Sequence, residues 1–219
     1  MPIIKIYNND TNRMETYFRG DCESMPYITG NTLTVREFRG TSRSDILWTE
    51  KRAMQAWNRF RISYGLPICV GSGFRRPFEG GHSQQSQHYA GVAFDVGQNL
   101  CNTERLHMRR HASRSGIWSF VDDVSNTPSW VHFDKRYGKT ACKTGGYPRI
   151  KHGDRGTYVL VLQDALRHLC YEVGELDGIF DNKTAHAVKC YQRKKGLAVD
   201  CVVTGETWSN LMCDVVCRN

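Results

Sequence analysis

The chain has 219 residues, with 30 lysines and arginines against 22 acidic residues, a formal charge of +8 and 40% hydrophobic residues. That length is comfortable for two domains, and the positive surplus suits a polyanionic partner. No apolar run approaches the roughly 20 residues of a membrane-spanning helix, which excludes stable membrane insertion. The basic residues are scattered and form no recognised nucleic-acid module, which argues against nucleic acid as the partner.

The first 31 residues are weakly patterned and read as an N-terminal extension. Within them Pro2-Ile3-Ile4-Lys5-Ile6-Tyr7 fits a strand, and is too short and too charged for a secretory apolar region. Leu33 to Phe38 leads into a helix expected from about Ser44 to Tyr64, where Leu47, Met54, Trp57 and Phe60 form one core-facing stripe. Val92-Ala93-Phe94-Asp95-Val96 is apolar enough for a buried strand, with Asp95 facing away from Val92, Phe94 and Val96. Trp130-Val131-His132-Phe133-Asp134 alternates in the same way and places Trp130, His132 and Asp134 on one face. Antiparallel pairing of these two strands brings His132 beside Asp95.

Histidine 88 completes a set with chemical meaning. Six residues, Gly91 among them, separate it from Asp95, so the pair lies on a loop and a strand, not along one helical turn. Two neutral imidazoles and one carboxylate are a common hydrolytic zinc set that leaves one coordination position for water. Such a centre acidifies that water and polarises a scissile carbonyl. His88, Asp95 and His132 are therefore the candidate zinc ligands. For a lone His-Asp pair a structural role is the ordinary reading; the full constellation is more specific.

Ser86-Gln87-His88-Tyr89-Ala90-Gly91-Val92-Ala93-Phe94-Asp95, followed by Val131-His132-Phe133-Asp134, resembles the zinc D-Ala-D-Ala carboxypeptidase family of peptidoglycan peptidases. Val70-Gly71-Ser72-Gly73-Phe74-Arg75-Arg76-Pro77 resembles the family segment whose arginine contacts substrate. The likeness runs from about Leu33 to Arg136. It implies zinc at His88, Asp95 and His132, with Arg75 positioning substrate through its planar fork, and Arg76 beside it as the other choice. Several branches of the family carry an acidic residue or a second histidine just before the last ligand, where this chain has Ser129 and Trp130. The general base is therefore sought at Asp122, Asp123 or Asp134, each of which also suits a surface carboxylate or a group orienting a ligand histidine.

From Tyr137 to Pro148 glycine, threonine and proline accumulate with the chemistry of a linker, placed at 139–149. Beyond it Val159, Leu162, Ala165, Leu166 and Leu169 mark one buried helical face. A second helix is expected from an N-cap at Thr184 to about Lys195, and a third around Glu206 to Met212. Gly153-Asp154-Arg155-Gly156, Val161 to Leu166, Gly174 to Phe180, Tyr191-Gln192 and Thr207-Trp208 resemble the three-helix peptidoglycan-binding domain found on wall hydrolases; Cys201 replaces a usual glycine.

The expected architecture is α+β: a zinc peptidase domain with a small antiparallel sheet flanked by helices over residues 1–138, then a three-helix domain over 150–219. The expected function is hydrolysis of peptidoglycan stem peptides by a monomer acting at the bacterial wall. With no signal peptide in view, the chain is expected to be cytoplasmic until released like a phage lysin, or exported by another route. Nine cysteines without a Cys-x-x-Cys pair argue against a structural zinc ribbon and for free thiols, with Cys170, Cys190 and Cys201 buried and Cys213 and Cys217 sharing a helical face. Two other classes stand beside this reading: a wall binder that keeps zinc without a base, and an iron(II) oxygenase, against which the long His88 to Asp95 interval speaks.

Overall fold

A computed structural model of the chain describes residues 1–141 and 146–216. The chain opens with β1 (Ile3–Asn8), in which Ile4 and Ile6 are buried and alternate with half-exposed neighbours. β1 pairs antiparallel with β2 (Arg13–Phe18) and parallel with β3 (Ile46–Glu50), in the order β2-β1-β3. The weakly patterned N-terminal stretch is therefore part of a sheet. It reads weakly because β2 has one largely solvent-facing surface and so no continuous apolar signal.

The long helix expected from Ser44 begins later. Ile46-Leu47-Trp48-Thr49 are strand formers whose backbone groups pair with β1, and only α2 (Lys51–Tyr64) is helical. The short helix α1 (Val35–Arg39) starts on a capping box between Thr34 and Glu37. α2 buries Ala53, Met54, Trp57 and Phe60 at three-and-four spacing.

A second sheet positions the site. Its strands β4 (Val70–Ser72), β5 (Ala93–Val96), β6 (Phe120–Val121) and β7 (Val131–Asp134) run in the order β4-β5-β7-β6, antiparallel throughout. The aromatic rings of α2 close one face of it: Trp57 lies 4.8 Å from Phe94 and Phe60 lies 4.9 Å from Phe133, centroid to centroid. α3 (Asn102–Arg114) packs against β6 and β7.

The C-terminal part holds a short ribbon, β8 (Ile150–Lys151) with β9 (Val202–Val203), and three helices: α4 (Thr157–His168), α5 (Asn182–Lys194) and α6 (Gly205–Val216). The cap of α5 is Asp181, not Thr184. The Asp181 carboxylate accepts the Thr184 amide at 2.9 Å, and Thr184 is buried one turn inside, with its hydroxyl accepting from Gln163. Of the three cysteines expected inside, Cys201 is buried, Cys190 is half-buried and Cys170 is exposed, because Cys170 sits at a left-handed turn after α4 that swings it outward. Cys22, Cys69, Cys101, Cys170, Cys190 and Cys201 are free thiols. Cys217, and residues 142–145 of the expected linker, lie outside the described residues. The flanks of that segment are paired, Thr140 bridging Pro148 and the Ala141 amide meeting the Tyr147 carbonyl at 2.8 Å.

Apolar side chains from both parts join one contiguous core. Polar contacts cross the same boundary: the Arg76 guanidinium grips the Asp164 carboxylate, with Nε at 2.7 Å from Oδ2, and the Thr157 hydroxyl donates to Glu50 at 3.0 Å.

Candidate metal centre

Asp95 on β5 stands directly opposite His132 on β7. That register follows from the alternation of both strands, since a slip of one residue would carry Phe94 and Phe133 out of the aromatic core. His88 comes from the loop before β5, which β3 braces from behind. The Trp48 indole donates to the Tyr89 carbonyl at 2.8 Å and the Thr49 hydroxyl to the Gly91 carbonyl at 2.6 Å. Gly91 is required here, because its φ is +68° and a Cβ would lie 1.9 Å from the Trp48 carbonyl oxygen.

The three side chains converge. His88 Nε2 lies 3.3 Å from His132 Nδ1 and 3.2 Å from Asp95 Oδ2, and His132 Nδ1 lies 2.7 Å from Asp95 Oδ1. Tetrahedral zinc with bonds near 2.0–2.1 Å has donors about 3.3 Å apart; the two separations from His88 match that spacing, the direct His132–Asp95 hydrogen bond is shorter, and the donor types suit this metal. His88 Nδ1 is buried with no hydrogen-bond partner among the described residues. Behind His132, the Asp134 carboxylate lies 3.5 Å from Nε2, is fully buried, and is held by Arg136, whose Nε donates to Oδ1 at 2.8 Å. This carboxylate-histidine arrangement fixes ring orientation at metal sites.

The charges are strongly coupled. Burial pushes the Asp95 carboxyl up, but hydrogen bonds from His132 and His88 outweigh it and hold it well below the ordinary carboxylate range. Burial pulls His132 down, yet the hydrogen bonds to Asp134 and Asp95 raise it to about 9. Asp134 is likewise pushed up by burial and brought below its usual value by Arg136 and His132.

A third histidine escaped the sequence reading. The His82 ring stacks on His88 with centroids 4.4 Å apart, and a donor atom of His82 lies within 4.8 Å of those of His88 and Asp95. The set His88, Asp95 and His132 is the tighter of the two, and His82 stands beside it. Burial first, then the charge of His88, lowers His82 to about 3, so it is neutral near pH 7. Its glycine-rich loop has no periodicity from which its direction is readable.

The centre opens on a cavity of about 580 Å³. His82, Gln87, Asp122, Trp130 and Arg136 are among its lining residues, with the three candidate ligands. Asp123 is not brought to it: that carboxylate is exposed and accepts from the Ser125 amide at 2.9 Å, because the turn after Asp122 points it outward. Arg75 is not in the lining either, since its guanidinium is turned to the Thr41 hydroxyl and the Gly80 carbonyl. Among the described residues the cation that does face the cavity is Arg136, which lies over the Phe120 ring at 4.1 Å.

Two family models match separate stretches of the chain. Residues 26–134 match the family model described as Peptidase M15, and residues 155–211 match that of the peptidoglycan binding domain. A solved peptidoglycan-binding protein from Clostridioides difficile, crystallised with glutamine hydroxamate, is 34% identical over 32% of this chain and 44% of that one, with a TM-score of 0.31. The chain thus spans less than half the length of that relative. The chain thus carries a Peptidase M15 domain over residues 26–134, followed by a peptidoglycan-binding domain over residues 155–211.

Proposed function

We propose that the chain is a zinc-dependent peptidase that hydrolyses the peptide stems of bacterial peptidoglycan, with its C-terminal domain holding it to the wall. The observation that supports this most directly is the convergence of His88, Asp95 and His132 at the wall of an open cavity in a Peptidase M15 domain. Zinc held there would supply a Lewis acid that polarises a scissile carbonyl and activates water for attack. The chain's own groups do the rest. Asp134 holds the His132 ring in place. Asp122, a carboxylate lining the cavity, serves as the general base. Neutral His82 is suited to donate a hydrogen bond to developing negative charge.

Two bonds are candidates. A carboxypeptidase releasing terminal D-Ala needs a cation for the free carboxylate, and among the described residues Arg136 is the cation that faces the cavity. An endopeptidase reading, with cleavage after L-Ala or in a cross-bridge, is favoured by the position of Arg75, which is turned away to Thr41 and Gly80. The test is digestion of purified walls by zinc-loaded protein, beside chelated protein and His132→Ala, with turbidity followed and end groups identified by mass spectrometry. Free D-Ala supports the carboxypeptidase and a new N-terminal D-Glu the endopeptidase. Wall binding without any new end group would leave a wall binder and overturn the enzymatic reading.

A further inference from the structure

The loop that delivers His88 is held on its far side by residues from beyond the Peptidase M15 match. The Tyr158 hydroxyl, at the start of α4, donates to Gln87 Oε1 at 2.7 Å, and both groups are buried. The Tyr147 hydroxyl donates to the Ser86 carbonyl at 2.7 Å, also buried. Gly146 and Tyr147 close the clasp: Gln87 Nε2 donates to the Gly146 carbonyl at 3.3 Å and the Tyr147 amide to Gln85 Oε1 at 2.9 Å. Three successive residues before and at the ligand, Ser86, Gln87 and His88, are each under 9% exposed, so a lost partner here has no water to replace it. Tyr147 is anchored in turn, its ring 5.0 Å from that of Trp208 on α6. His88 itself has no hydrogen-bond partner at Nδ1 among the described residues, so its position leans on the backbone of this loop.

We propose that Tyr147 and Tyr158 are positioning residues of the metal centre: the connecting segment acts on the site through Ser86 and the peptidoglycan-binding part through Gln87, beyond any tethering to the wall. This rests on the reading of His88, Asp95 and His132 as zinc ligands. It makes metal affinity and turnover on a small soluble stem peptide, which needs no wall contact, depend on two hydroxyls outside the peptidase domain.

The test uses the full chain with Tyr147→Phe, Tyr158→Phe, Gln87→Leu and the pair Tyr158→Phe with Gln87→Leu. Tyr191→Phe is the control; it loses a comparable hydroxyl bond, to Asp214 at 2.9 Å, inside the helical domain. Zinc affinity is read by competition with a chromogenic chelator, turnover on a soluble stem pentapeptide, and retention on purified walls by pelleting. Loss of a supporting partner typically weakens a metal site about 10-fold or more, so Tyr147→Phe and Tyr158→Phe are each expected to lose about 10-fold in zinc affinity, with kcat falling and wall retention unchanged. The paired variant is expected to lose no more than Gln87→Leu alone, since Gln87→Leu already removes the bond from Tyr158 together with the one to Gly146. Tyr191→Phe is expected to lower the melting temperature and leave zinc affinity unchanged. If both tyrosine variants bind zinc within two-fold of the parent while melting like Tyr191→Phe, the proposal is overturned and the zinc reading stands. A parent chain that takes up no zinc would sink both.

Discussion

His132 faces Asp95 with one ring nitrogen and Asp134 with the other, and this decides how the chain responds to pH. In chelated protein the histidine gains two carboxylate partners on folding, so its value rises from the ordinary 6.5 to about 9. A raised folded value contributes stability that is fully present below about pH 6.5 and is lost as pH climbs through about 9. Chelated protein is therefore expected to melt lower at pH 9 than at pH 6.5, by an amount of up to about 3 kcal/mol, and His132→Ala is expected to abolish that slope. Thermal melts across this window, with parent and variant side by side, check it; equal slopes would contradict the assignment. At the cavity wall, Asp122→Asn is expected to lower kcat by about 10² to 10⁴ while zinc stays bound, the range for a lost general base. Asp123→Asn, whose carboxylate only caps its own turn, is expected to leave kcat unchanged. Equal loss in both, or in neither, would remove Asp122 from the role.

Between residue and fold, α3 and the loop that follows it form a unit. Arg109, only 8% exposed, donates to the carbonyls of Asp122, Thr127 and Trp130 and to the Thr127 hydroxyl, and so gathers the loop that carries Asp122 and leads into β7. A lysine keeps the charge but cannot span three carbonyls with a rigid fork. Arg109→Lys is expected to cost about 2 kcal/mol of stability, from buried acceptors left without donors, and to speed amide exchange over residues 122–130. Hydrogen exchange by mass spectrometry decides the matter: unchanged protection of that loop would show that Arg109 does not organise it.

Across the whole molecule, the buried Arg76-Asp164 pair joins the first half to α4, and Arg76 also donates to the Ser44 hydroxyl at 2.8 Å. Burial raises the Asp164 carboxyl, although Arg76 opposes the shift, so the ion pair is held against a desolvation cost. Arg76→Ala leaves that carboxylate buried and unpaired, which typically costs about 3–5 kcal/mol. Because the two parts share one apolar core, the expected result in urea is a single transition at a lower midpoint. Two separated transitions would show instead that the halves unfold independently of this contact.

Periodicity alone made much of this legible. The alternation of Val92 to Val96 and Trp130 to Asp134 put Asp95 opposite His132, and the three-and-four spacing of Val159, Leu162, Ala165 and Leu166 set out α4, because both patterns are local consequences of burying one face. The motif around His88 carried the family and the candidate ligands. Other features depend on contacts between residues far apart in the chain. Ile46 to Thr49 became a strand because β1, some forty residues earlier, offered its edge. Arg75 and Asp123 turned away from the cavity, and His82 turned into it, through loop geometry that no period encodes. Tyr147 and Tyr158 reach Ser86 and Gln87 across roughly sixty and seventy residues of sequence, a pairing that only the packed tertiary structure determines.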